Sequence, residues 1–122
     1  MEKYIVVMRE TSGLMETVQE ALAHTQTLLK QGKGEASITL FSDIVQAFSS
    51  MEQSVLQLPE IFVNDDVASL TEDVRNALNK AVESYEAKAY THVQEVLQSA
   101  LLPAFNKWSE VLEKYFRPYV IS

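Results

Sequence analysis

Apolar residues recur every three or four positions along most of this chain. In the most regular stretch the steps are 3, 4, 3, 4 and 3, close to the heptad seam of packed helices. That stretch consists of Phe41, Ile44, Phe48, Met51, Val55 and Leu58. Pro59 follows directly, and a residue before proline is pushed out of the helical region. The pattern therefore predicts a helix over residues 35–57.

Three further stretches show helical spacing. The first predicts a helix over 12–31 and contains Leu14, Val18, Leu22, Thr25 and Leu29. The next predicts a helix over 66–86 and contains Leu70, Val74, Ala77, Ala81 and Ser84. The last predicts a helix over 89–116 and contains Val93, Leu97, Ala100, Ala104, Trp108, Val111 and Tyr115. Pro103 lies inside this last helix, where a missing backbone donor predicts a kink.

The first dozen residues are ambiguous. Tyr4 to Met8 is rich in β-branched residues, so it could form a strand or the first turns of helix one. Because no second strand is evident, the pattern favours a helix or an extended packing arm.

An internal repeat organises these helices. Shifting the sequence by 56 positions superimposes the first helical pair on the second. Gly32 suits the left-handed position after a helix, and the shift places a break near Lys88. The sequence therefore predicts one all-α domain over 1–122, an antiparallel four-helix bundle built from hairpins at 14–58 and 67–116.

Composition narrows the class of protein. Three glycines and three prolines are too few for the many turns of an all-β fold, and the absence of cysteine excludes disulfides and thiolate metal sites. A net charge of −7 disfavours nucleic-acid binding. The longest apolar run, Tyr4 to Met8, is far shorter than the ~20 residues that span a bilayer. We expect a cytoplasmic protein that binds neither nucleic acid nor membrane.

Candidate catalytic and metal-binding groups are sparse. Glu20 and His24 share one helix and His92 and Glu95 another, but neither pair has the order of a carboxylate-bridged dimetal motif. The acidic residues Asp65, Asp66, Glu72 and Asp73 fit the start of a helix better than a calcium loop. Hydrolase elbows and phosphate loops are absent from the sequence. We expect no enzyme activity, no metal and no cofactor.

Aromatic residues cluster near the C-terminus and have two interpretations. They could pack against the other helices, or they could form a partner-binding site, since aromatic residues are enriched in binding hot spots. The candidate partner-binding residues are Phe105, Trp108, Tyr115, Phe116 and Tyr119.

The two chain ends lie outside the repeated hairpins and are apolar. A two-hairpin bundle brings them to the same end, where they could cover each other or form an exposed patch. These end residues are Tyr4, Ile5, Val6, Val7, Tyr115, Phe116, Tyr119, Val120 and Ile121. Because an exposed patch of this kind marks an interface, we predict a homodimer.

Two segments carry a resemblance to a known family. The hairpin from Leu28 to Ala36 and the stretch from Leu101 to Trp108 resemble a family of small helical-bundle proteins of Gram-positive bacteria whose function is not established. In size and topology the chain also resembles flagellar export chaperones. The absence of catalytic motifs and the apolar surface at both ends favour a non-enzymatic interaction, adaptor or chaperone-like bundle that binds another protein or itself. The alternative is a bundle that binds a small molecule or metal, or an enzyme, with its site between the helices.

Overall fold

The computed structural model describes residues 2–60 and 65–120. Its helices are α1 (Glu2–Lys30), α2 (Gly34–Leu56), α3 (Asp65–Glu86), α4 (Tyr90–Val96) and α5 (Leu102–Val120). A π-helical turn, Leu97–Leu101, joins α4 to α5, so the two helices make one rod. The two described ranges contain no strand. The predicted all-α four-helix bundle is confirmed.

α1, α2, α3 and the α4–α5 rod pack as a ring around one core. α1 lies beside α2 and the α4–α5 rod, and α3 lies beside the same rod and α2. Arg75 forms an ion pair with Glu52, while Tyr85, further along α3, contacts Phe41 near the start of α2. These contacts run in opposite chain directions, so α2 and α3 are antiparallel. The bundle therefore has a turn end, which holds both hairpin turns, and an open end, where α1 and α3 begin and α2 and α5 end.

The seam predicted for α2 is confirmed, because all six of its residues are buried. α1, however, begins at Glu2, about ten residues before the predicted start. Its buried face continues towards the N-terminus through Thr11 and Met8. The Thr11 hydroxyl donates to the Val7 carbonyl at 2.8 Å, which allows a polar side chain to lie on that face. The ambiguous N-terminal segment is therefore helical from Glu2 onward.

The first hairpin turn has the hydrogen bonds of a Schellman motif. The Gly32 amide donates to the Leu29 carbonyl at 3.1 Å, and the Lys33 amide donates to the Leu28 carbonyl at 2.8 Å. Gly32 has a φ of 74°, a conformation that costs glycine little because it has no Cβ.

The second hairpin turn repeats this geometry 56 residues later. The Lys88 amide donates to the Tyr85 carbonyl and the Ala89 amide to the Ser84 carbonyl, both at 2.9 Å. The predicted break near Lys88 is confirmed. Lys88 has a φ of 56°, which costs a residue with a Cβ about 1–2 kcal/mol. The agreement concerns the turns; that the whole hairpins are repeats stays a prediction.

Gly34 and Tyr90, which begin α2 and α4, contact each other at the turn end. A Cβ built on Gly34 would overlap the ring of Tyr90. Only glycine lets the Tyr90 ring approach this closely. The two hairpins therefore meet at equivalent positions, directly after their turns.

Tyr85 joins α3 to α2 beside this contact. Its hydroxyl lies 2.7 Å from Oγ of Ser37, and the Ser37 hydroxyl donates to the Gly34 carbonyl at 2.7 Å. The tyrosine hydroxyl is therefore the donor between them. Burial raises the pKa of the Tyr85 phenol above its ordinary value of 10.0, and nearby Tyr90 adds to this shift.

Beyond Leu97 the buried face of the fourth rod lies one position later than the sequence period predicts. Four residues predicted to be buried are only half-buried: Ala100, Ala104, Val111 and Tyr115. The core instead holds Leu101, Phe105, Leu112 and Phe116. Trp108 is buried, as predicted.

The π turn causes this shift because it contains one extra residue. The Leu102 amide donates to the Leu97 carbonyl, five positions back, and Pro103 has no amide to donate to Ser99. The shifted register buries two leucines and two phenylalanines rather than two alanines, a valine and a tyrosine. Each large apolar side chain contributes about 1.5–3 kcal/mol, which outweighs the poorer geometry of one π turn. Pro103, where a kink is predicted, is the second residue of α5, directly after this π turn; the kink itself stays a prediction.

Candidate functional site

Three of the five predicted partner-binding residues lie in the core. Phe105, Trp108 and Phe116 are at most 1% exposed, and the Trp108 ring lies 5.0 Å from the ring of Phe48. Tyr115 and Tyr119 are half-buried near the C-terminal end of α5. For Phe105, Trp108 and Phe116, the structure therefore supports the other interpretation of the cluster, packing against the other helices. The accessible part of the predicted partner site is Tyr115 and Tyr119, and their role stays a prediction.

The polar groups beside this core differ in how they are satisfied. The Trp108 indole N–H donates to Oγ1 of Thr71 at 2.8 Å, and the Thr71 hydroxyl donates to the Val67 carbonyl at 2.7 Å. Next to Trp108 in the sequence, Ser109 is 1% exposed, and its Oγ has no hydrogen-bond partner among the described residues. The indole is thus fixed by a hydrogen-bonded chain that extends to α3.

The open end carries the most exposed large apolar side chains of the described residues. Val6 in α1 is 51% exposed and Leu56 at the end of α2 is 76% exposed. Antiparallel packing of α1 and α2 puts both at this end. Other predicted end residues pack half-buried against the core, namely Tyr4, Val7, Tyr115, Tyr119 and Val120. Ile121 lies outside the described residues.

A groove lies near the turn end, between the last turns of α3 and the α4–π segment. It has a volume of about 640 Å³. Its charged residues are Lys80 and Glu83 from α3 and Glu95 from α4, and four small apolar residues complete much of its wall: Ala87, Ala89, Val96 and Ala100. We call this site the α3–α4 groove. It combines charged groups with an apolar lining, as small-molecule sites do.

His92 also lines the α3–α4 groove and is held by a serine. Nδ1 of His92 lies 2.7 Å from Oγ of Ser84, whose hydroxyl donates to the Lys80 carbonyl at 2.9 Å. A hydroxyl has one proton, so both hydrogen bonds form together only when Nδ1 carries the imidazole proton. In neutral His92 the other ring nitrogen, Nε2, is then an acceptor.

Sequence analysis did not identify this groove. The groove could have been found by comparing side-chain sizes at positions 56 residues apart, because a search for motifs does not detect such differences. At the positions 56 residues earlier, Ser84 and Val96 correspond to Leu28 and Leu40. Smaller side chains in the second hairpin leave room at the surface.

The histidines and acidic residues form no metal-binding group. No cluster of three or more histidine, cysteine, aspartate or glutamate side chains with suitable placement occurs within 2–60 and 66–120. His24 and His92 are both exposed, on different rods. Asp66 lies in the first turn of α3, as predicted for an acidic residue at a helix start, whereas Glu72 and Asp73 lie about two turns further along.

None of the described helices is both long enough and apolar enough to span a lipid bilayer.

The fold and these sites define a small all-α bundle with the α3–α4 groove near one end and exposed apolar side chains at the other. The chain belongs to the family described as Domain of unknown function (DUF8042), whose profile matches residues 6–111. No curated protein shows a significant match to the chain. No solved structure shows one either.

Proposed function

We propose that the protein is a non-enzymatic interaction bundle that binds protein through its open end, and that its occupant is a second copy of the chain. The observation that supports this most is the exposure of Val6 and Leu56 at the same end of one hairpin. Burying such side chains contributes about 25 cal/mol per Å², which favours association.

Charge around the two apolar residues fits a twofold dimer. Arg9 lies one turn from Val6 on α1, and Glu60 follows α2 beyond Leu56; both are exposed. A twofold axis places the same surface of each copy against the other. An open end with basic and acidic groups on different segments can therefore pair with itself, Arg9 of one copy facing the acidic side of the other.

The proposal includes finer statements drawn from the sequence. The bundle acts as an adaptor or chaperone-like protein in the cytoplasm of a Gram-positive bacterium, without nucleic acid, membrane or cofactor. Its net charge of −7 supports the exclusion of polyanions. Tyr115 and Tyr119, half-buried on α5, contribute to the same surface.

Sedimentation velocity of the full chain over a concentration series tests the proposal. We expect a dimer for the natural sequence and a monomer for the double variant Val6→Glu/Leu56→Glu, because two buried charges would face each other across the axis. Ile38→Glu is the matched control. Ile38 is also a large apolar residue, 43% exposed, but it lies near the turn end.

The control variant should remain a dimer. A chain that stays monomeric up to ~1 mM associates by less than about 4 kcal/mol and contradicts the proposal. Dimer loss in Ile38→Glu with retention in Val6→Glu/Leu56→Glu would place the interface at the turn end and contradict it equally.

A further inference from the structure

The α3–α4 groove is bordered by residues of the second hairpin, some of which are smaller than the residues at the corresponding positions of the first hairpin. Both hairpins have the same turn, so their flanking helices begin from the same geometry. Ser84 nevertheless stands where the first hairpin has Leu28, and Val96 where it has Leu40. Filling the groove would bury more apolar surface and stabilise the fold. Its small lining residues therefore forgo stability at this place, as binding sites do.

The charges of the groove are not neutralised by the protein. Among the described residues, none forms an ion pair with Lys80, Glu83 or Glu95, whereas Arg75 pairs with Glu52. Lys80 on α3 and Glu95 on α4 line the groove from opposite sides without pairing, and Glu83 adds a second carboxylate. The groove thus presents one ammonium and two carboxylates around an apolar lining.

Two further groups extend the hydrogen-bonding capacity of this surface. Neutral His92, fixed through Nδ1 by Ser84, has Nε2 as an acceptor for an N–H donor. Ser99, in the π turn, supplies a hydroxyl that can donate to an anion. Both groups lie on the rod that carries Glu95, and π turns often accompany functional sites.

We propose that the α3–α4 groove binds a small zwitterion with a short hydrocarbon body, of which an aliphatic α-amino acid is the simplest example. The ligand carboxylate pairs with Lys80 and accepts from Ser99. The ligand ammonium donates to Glu83, Glu95 and Nε2 of His92. The hydrocarbon part contacts Val96 and the alanines of the lining. Such a ligand complements both signs of charge, which a simple amine or a simple acid does not.

Amide NMR titration of the full chain with norvaline tests the proposal. Butylamine and pentanoate are matched probes, since each keeps the hydrocarbon chain and one of the two charges. We expect saturable shifts at Ser84, His92 and Ser99 with norvaline, and at least ~tenfold weaker binding of either comparator, because each lacks one charge-assisted contact.

Substitutions separate the groove from the general surface. Lys80→Gln and Glu95→Gln should each raise the Kd for norvaline about tenfold. Lys107→Gln and Glu110→Gln, which remove exposed charges from α5, should leave it unchanged. Ala100→Ile, which places a larger side chain in the groove wall, should abolish binding.

Three outcomes would overturn the assignment. Norvaline shifts that do not saturate, or that spread evenly over the surface, would show that no site exists. Equal binding of butylamine would show a site for cations alone. Unchanged affinity in Lys80→Gln and Glu95→Gln would show that the charges of the groove do not hold the ligand. The groove lies near the turn end, so these results are independent of self-association at the open end.

Discussion

The two hairpins make the same turn with different residues. Gly32 and Lys88 both adopt the left-handed conformation, and the same nested hydrogen bonds close both turns. The first hairpin then continues as a regular helix, whereas the second contains a π turn and borders a groove. The comparison shows that backbone hydrogen bonding and packing determine the turn. Side-chain size determines the helical register after the turn and whether a groove remains beside it.

The largest expected effect tests the register of the second hairpin. Leu112→Ala removes a fully buried side chain and should lower the free energy of unfolding by about 2–5 kcal/mol. Val111→Ala, at a half-buried position, should cost under about 1.5 kcal/mol. Urea denaturation of both variants measures the difference. A larger loss for Val111→Ala would mean that α5 follows a regular helical period without the π turn.

The next effect concerns the contact between the hairpins. Gly34→Ala should destabilise the fold by about 1–3 kcal/mol, because its Cβ would overlap the Tyr90 ring. Gly13→Ala is the matched control: Gly13 is also helical, but nothing lies within 4 Å of its Cβ position. This control should gain about 0.5–1 kcal/mol from helix propensity. Thermal unfolding of both variants checks the prediction, and a stabilised Gly34→Ala would contradict the close contact.

A smaller effect, at the hydroxyl of Tyr85, depends on pH. The folded state raises the pKa of this phenol, so its contribution to stability is complete below the unfolded pKa of about 10 and is lost as pH rises through the folded pKa. Tyr85→Phe should cost about 1 kcal/mol at neutral pH and should weaken the alkaline decline. Ser37→Ala removes the same hydrogen bond but keeps the phenol, so the decline should persist. Urea midpoints between neutral and strongly alkaline pH measure both; identical profiles for the two variants would contradict the assignment.

The smallest effect tests the equivalence of the turns directly. Lys88→Gly should stabilise the protein by about 0.5–1 kcal/mol, because glycine adopts the left-handed conformation without steric cost. Gly32→Ala should have the opposite sign. Differential scanning calorimetry gives both changes. If Lys88→Gly destabilises the chain, the lysine side chain stabilises its turn through contacts that outweigh backbone strain.

The helices could be predicted because their buried faces repeat at a constant period. The α2 seam ended where Pro59 required it to end, and comparing the hairpins placed the break near Lys88. The register beyond Leu97 could not be predicted, because a constant period leaves no place for an extra residue. The register is decided by competition for the core between neighbouring residues, such as Ala104 and Phe105. The start of α1 was not predicted, because Tyr4 to Met8 is rich in β-branched residues that fit a strand as well as a helix.

The candidate sites show the same limit. Sequence clustering selected Phe105, Trp108 and Phe116 as candidate partner-binding residues, yet neighbours in sequence give no measure of exposure. Leu56 is exposed because it is the last residue of α2 and lies off the buried face, which continues through Val55 and Leu58. The groove depends on small residues from two helices and on the Ser84–His92 contact, and no motif in either helix alone describes it.

Trp108 is the single tryptophan of the chain, so its surroundings give the protein a built-in optical reporter. Its ring meets Phe48 from the first hairpin, and its N–H bonds to Thr71 on α3. Indole emission therefore responds to the docking of the two hairpins, whereas circular dichroism responds to helix content. Coincident traces from the two signals during unfolding would show that hairpins form only as they dock, and a separation would reveal helical hairpins that have come apart.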